Sequence, residues 1–193
     1  VLTYGWPRSL AGVAEMAMFT VAAWTCRHDS KQMADLLSAM AVGRVVQAVC
    51  TPVSHIIVVV TSAAKGAKEE ALLNKGIRLI IRGGGFASLL VLGAASPLAA
   101  SILGVFVGPA VDLKEATRLL QPILVALPAY LLFNGLKGVI DVVEERPYTL
   151  MLALGGLVVS VGTVGLMPSH WEVGFSASIG VSAGVCSMGI GAA

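Results

Sequence analysis

Arg44, Gln47, Thr51, His55 and Ser62 fall in a stretch, residues 36–64, that is otherwise mostly Leu, Val, Ile, Ala and Met. Taken as a helix at roughly 100° per residue, all five occupy one arc of about 80°. A charged side chain at mid-bilayer costs about 2.5–3.5 kcal/mol on insertion scales, so such a seam must face protein or water. Arg44 leads the candidates, because its planar and permanently charged fork suits phosphate or carboxylate. Read structurally, the same arginine would be satisfied by a neighbouring carboxylate that orients helices, and Glu15, in another apolar stretch, is its expected partner. Glu15 is also a candidate proton or cation site, because burial raises a carboxyl pKa towards neutrality. His55 is a candidate titrating group. A second polar row, Tyr130, Asn134, Lys137 and Asp141, is spaced 4, 3 and 4 along a later apolar stretch. Two such rows in one bundle point to a shared central cavity.

The elements that would position these residues are membrane helices. Of the 193 residues, 56% are hydrophobic and only 12% charged, with a mean hydropathy of +0.87; a soluble domain carries about twice that charge. The composition predicts an all-α integral membrane bundle. A span needs about 20 mostly apolar residues, and six stretches qualify or nearly do: 9–26, 36–64, 83–107, 119–140, 148–167 and 173–193. Residues 65–82 read as a cytoplasmic amphipathic linker. Its basic face carries Lys68, Lys75, Arg78 and Arg82, suited to an anionic lipid or an anionic substrate. Pro52, Pro97, Pro122 and Pro128 are expected kink sites. Small residues four apart, as in Gly156 and Ser160 or Gly180 and Gly184, predict close helix packing.

Basic residues sort unevenly between the two sides. Arg8, Lys65, Lys68, Lys75, Arg78, Arg82, Lys137 and Arg146 are assigned to one side, and Arg27, Lys31, Lys114 and Arg118 to the other. The positive-inside rule then places both termini in the cytoplasm and the chain in the cytoplasmic membrane. Cys26, Cys50 and Cys186 are odd in number and widely spaced, which argues against a disulfide framework or metal site. The chain begins at Val1 without a cleavable signal pattern, so it is expected to be a portion of something longer.

No enzymatic motif is present. Residues 83–85 lack the Gly-Lys-Ser/Thr of a phosphate loop, and His28, His55 and His170 lack metal-ligand spacing. No catalytic set, metal or cofactor is expected, apart from coupling to protons or sodium, and no nucleic-acid partner.

The order of features resembles one six-helix half of the multidrug/oligosaccharidyl-lipid/polysaccharide exporter superfamily. The likeness begins at "GWPRSLAGVAEMAMFT" and continues through "LLSAMAVGRVVQAVCTPVSHIIVVVTSAAKGAKEEALLNKGIRLIIRGG". It ends with "AVDLKEATRLLQPILVALPAYLLFNGLKGVIDVVEERPYTLMLALGGLVVSVGTVGLMP". It covers nearly the whole chain and is a likeness of pattern. The resemblance implies two six-helix bundles that rock about a central cavity, so a second half or a homodimer partner would supply the missing wall. It implies a flippase for polyprenyl-diphosphate-linked saccharide if Arg44, Arg78 and Arg82 dominate. It implies a cation-coupled multidrug antiporter if Glu15 dominates. Residues expected along the pathway are Glu15, Arg44, Gln47, Thr51, His55, Asn134 and Lys137. From the residues alone, a third reading stands beside these: a membrane scaffold subunit in which the polar rows only specify packing.

Overall fold

Two aspartates set where helices begin. Asp29 and Asp112 sit in extended backbone, and each turns its carboxylate onto the N–H groups that open a helix. Asp29 Oδ1 accepts from Lys31 and Gln32 at 3.0 Å each, and Asp112 Oδ1 from Lys114 at 3.1 Å and Glu115 at 3.3 Å. These are N-caps that satisfy otherwise orphaned donors. A computed structural model of the chain describes residues 2–108, 111–143, 147–168 and 171–192; within these, the side chains of 2–5, 8, 46, 47, 49–55, 87, 88, 91 and 95 are not described. Among the described residues the protein is all-helical.

The helices are α1 (Leu2–Thr25), α2 (Ser30–Gly66), α3 (Glu70–Leu79), α4 (Gly85–Phe106), α5 (Leu113–Val125), α6 (Leu127–Val143), α7 (Tyr148–Leu166) and α8 (Val173–Ala192). A π-helical segment, Ile80–Gly84, joins α3 to α4 without leaving helical backbone angles. Chain direction alternates. The start of α2 therefore meets the turn before α5 and the start of α8, while its end meets the end of α6.

Among the described residues two helices, α7 and α8, are long and apolar enough to cross a membrane, and α5 with α6 makes a third candidate span bent by 43°. The stretch expected as one helix over 119–140 thus divides at Ala126. Pro128 has no N–H for the carbonyl of Leu124, so the ladder breaks there and α6 starts in a new direction. The stretch expected over 36–64 begins earlier, because the Asp29 cap extends α2 back to Ser30.

The linker expected over 65–82 is likewise divided. Lys65 belongs to the last turn of α2. Lys68 takes the left-handed conformation, φ 58°, with its N–H on Lys65 O at 3.1 Å and the N–H of Glu69 on Ala64 O at 3.0 Å. That pair of bonds is a Schellman helix end, with lysine where glycine is usual. Lys68 therefore lies off the face of α3.

α8 packs against α7 and α6, α1 against α7 and α8, and α2 against α5 and α6. The interior holds Met18, Leu36, Leu120, Phe133, Val181 and Met188, all fully buried or nearly so. Small residues let the backbones close up. A Cβ built on Gly184 would stand 2.5 Å from Gly156 O and 2.9 Å from Met18 Sδ. Gly189 lies equally close to Ala129 on α6. The outer surface is apolar: Val13, Ile56, Val59, Phe86, Val105 and Val158 are all exposed. An apolar exterior of this extent suits lipid rather than water. Trp6 and Trp24 are exposed near opposite ends of α1, eighteen residues apart or about 27 Å along the axis. That separation fits two aromatic belts at the faces of a hydrocarbon layer about 30 Å thick.

Candidate membrane-embedded charge cluster

Glu15 sits on α1 nine residues from Trp6 and nine from Trp24. Its Oε1 accepts from Lys137 Nζ on α6 at 2.7 Å. The two side chains are 15% and 18% exposed, so the pair is largely shielded. One turn beyond Glu15, on the same face, Phe19 presents its ring to α2, and the Arg44 guanidinium lies 3.8 Å from the ring centroid. Arg44 is part-buried here, with the Glu15 carboxylate within electrostatic reach and Tyr130 of α6 beside it. Phe133, fully buried, lies 5.5 Å from Lys137 Nζ across one turn of α6. Glu15, Phe19, Arg44, Tyr130 and Lys137 thus converge where α1, α2 and α6 face one another. One carboxylate and two cations leave the cluster with a formal charge of +1.

Glu15 was expected to pair with Arg44, and it pairs instead with Lys137. The compact ammonium on its flexible stem reaches across to the carboxylate, while the planar guanidinium takes the aromatic face. Among the described residues Arg44 makes no ion pair. Lys137, counted with the basic residues of one side and also placed on the polar row of 119–140, lies within α6 and points inward.

Asn134 is buried, and its Nδ2 donates to Tyr130 O of its own helix at 3.0 Å. Asp141 Oδ1 accepts from the buried Thr149 hydroxyl at 2.7 Å. The Tyr130 to Asp141 row therefore faces the bundle along its length. Ser62 is exposed. The side chains of Gln47, Thr51 and His55 lie outside the described residues, as do Pro52 and His170. Arg78 and Arg82 are exposed on α3 and the π segment, away from the cluster.

Two residues escaped the sequence reading. Phe19 carried a usable signal, being one turn from Glu15. Asp35, 1% exposed, carried none, because it precedes the apolar run. Its Oδ1 accepts the Asp112 N–H at 3.0 Å, tying α2 to the turn before α5, and its Oδ2 has no partner. At the same end Gln32 Oε1 accepts from Gly174 N–H at 3.0 Å. Arg118 bridges Glu172 at 2.6 Å and Glu115 at 3.3 Å there. The Asp112 carboxyl is held below the usual carboxylate range, first by the N–H of Glu115 and then by Lys31. At the opposite end Lys65 Nζ donates to the last carbonyls of α6, Val142 O at 2.6 Å and Val143 O at 3.2 Å. A cation there complements the negative end of the helix dipole.

Among the described residues no group of three His, Cys, Asp or Glu side chains could hold a metal ion. No family model, curated protein or solved structure matches the chain.

Proposed function

We propose that the chain is a membrane transporter, a six-helix bundle forming half of an exporter-type assembly. It would move an anionic lipid-linked solute, of the polyprenyl-diphosphate saccharide class, between leaflets of the cytoplasmic membrane by alternating access. The observation that carries this reading is the charge balance of the cluster midway along α1: Lys137 already neutralises Glu15, so Arg44 remains as an excess cation. A net positive site at that depth is costly without a purpose, and an anionic headgroup is the partner that would complete it. The same balance disfavours a cationic drug as cargo.

In this reading α1, α2, α4, α5 with α6, α7 and α8 make the six passes, and α3 leads into α4. A second copy of the chain, or another six-helix segment, supplies the opposite wall of the cavity. With Lys137 inside the bundle, the basic residues still favour the end that holds Lys65, Lys75, Arg78 and Arg82, which supports cytoplasmic termini.

The test is flipping of a fluorescent polyprenyl-diphosphate saccharide in vesicles reconstituted with the full chain. Arg44→Ala abolishes flipping while insertion and helicity stay intact. Wild-type flipping by that variant refutes the proposal. A proton- or sodium-coupled exporter would instead lose its ion dependence in Glu15→Gln, and a scaffold subunit would flip nothing in any form.

A further inference from the structure

α3 has an amphipathic arrangement that the proposed transport does not use. None of its residues is fully buried. Leu73, Gly76, Ile77 and Ile80 are half-buried and face the bundle, with Ile80 Cγ2 seated where a Cβ on Gly135 of α6 would stand at 2.7 Å. Lys75, Arg78 and Arg82 are exposed and share another face, within an arc of about 60°. Between these faces lie Leu72 and Leu79, which remain 46% and 72% exposed. Among the described residues the three basic side chains have no ion-pair partner. The same rod continues through the π segment into α4, whose Phe86, Leu89 and Leu90 are exposed.

We infer that α3 lies in the membrane interface and binds anionic lipid headgroups through Lys75, Arg78 and Arg82, with Leu72 and Leu79 sunk at the acyl boundary. The geometry meets each requirement of an interfacial helix: a face anchored on the protein, exposed leucines beside it, and uncompensated cations next in order round the helix. Continuity with the exposed apolar surface of α4 sets the leucines at lipid rather than at a soluble partner. The long stems of the basic residues reach to the headgroups while their carbons cover apolar surface. The inference rests on the membrane reading of the chain and is independent of what the central cluster carries.

The experiment reconstitutes the full chain into vesicles of equal phosphatidylglycerol and phosphatidylcholine with matched acyl chains, then counts retained lipids by native mass spectrometry after extraction. Wild-type chain retains phosphatidylglycerol preferentially, each basic residue contributing about fivefold. Lys75→Gln/Arg78→Gln/Arg82→Gln brings the preference close to one, while Lys31→Gln/Lys114→Gln at the other end leaves it unchanged. A preference that survives the triple substitution overturns the inference, as does an equal loss in the Lys31/Lys114 variant. The substituted side chains are all exposed, so folding is not at risk, and the readout needs no transport. Loss of flipping in Arg44→Ala with no lipid preference at α3 would sink this inference alone.

Discussion

The Glu15–Lys137 pair makes an asymmetric prediction. At 2.7 Å the gross attraction is about 6 kcal/mol at an effective dielectric of 20, but taking each ion out of water costs several kcal/mol. Truncating one partner of a fully buried pair costs about 3–5 kcal/mol, against about 0–1 kcal/mol for an exposed one. At 15% and 18% exposure the pair lies nearer the buried limit. The two truncations differ because Arg44 stands within electrostatic reach of Glu15. Lys137→Met leaves Glu15 facing Arg44, a neutral set, and should cost about 2 kcal/mol. Glu15→Gln leaves two cations and no anion, and should cost about 3 kcal/mol. The double variant restores the native net charge and should cost about 2 kcal/mol, a coupling of about 3 kcal/mol, at the top of the range for touching residues. Reversible denaturation in detergent micelles at neutral pH, followed by helicity, measures all three. Additivity within about 0.5 kcal/mol, or a larger loss for Lys137→Met than for Glu15→Gln, refutes the argument.

Two further expectations concern the scaffold. Gly184→Leu should lower stability by about 3 kcal/mol, because its Cβ would meet the Gly156 backbone oxygen, which cannot swing aside. Gly155→Ala, which meets nothing within 4 Å, should be neutral or stabilising by up to about 1 kcal/mol; similar effects at both positions would disprove the packing account. Lys68→Gly should stabilise by about 1 kcal/mol, since it relieves the left-handed strain of a side-chain residue. A fall in melting temperature for that variant would show that the Lys68 charge itself holds the end of α2.

Helix positions were legible because apolar run length and helix geometry are coupled through the chain itself. α7 and α8 match their apolar runs to within a residue, and the spacing of Gly156, Gly180 and Gly184 anticipated their close approach. The inward face of α6 was legible for the same reason, since Tyr130, Lys137 and Asp141 recur at helical period. What crosses between helices was not. Nothing in the sequence says that Lys137 rather than Arg44 meets Glu15, because that choice depends on the register of α1 against α6. The split of α5 from α6 was half visible: Pro122 and Pro128 marked a weak point, but only packing decides whether a proline bends a helix or ends a segment. Lys68 was misplaced because a left-handed turn at lysine violates the local preference on which turn assignment relies.

α6 gathers these partners in under three turns. Gly135 receives Ile80 of the π segment, Lys137 holds Glu15 of α1, Asp141 takes the Thr149 hydroxyl of α7, and the carbonyls of Val142 and Val143 take Lys65 of α2. The apolar contact resists only separation, and the bonds to Thr149 and Lys65 lie at one end of the bundle. Glu15–Lys137 is the link between opposite charges at mid-depth, and it joins α1, which packs on α7 and α8, to the side formed by α2 and α6. An anion entering beside Arg44 would compete with Glu15 for Lys137. On the proposed reading it would thereby loosen the ion pair between α1 and α6 and couple binding to rearrangement through that ammonium. Substrate should then lower the protection of α1 amides around Glu15 against hydrogen exchange while leaving those of α7 and α8 unchanged, which is the behaviour a static packing role for the pair would not produce.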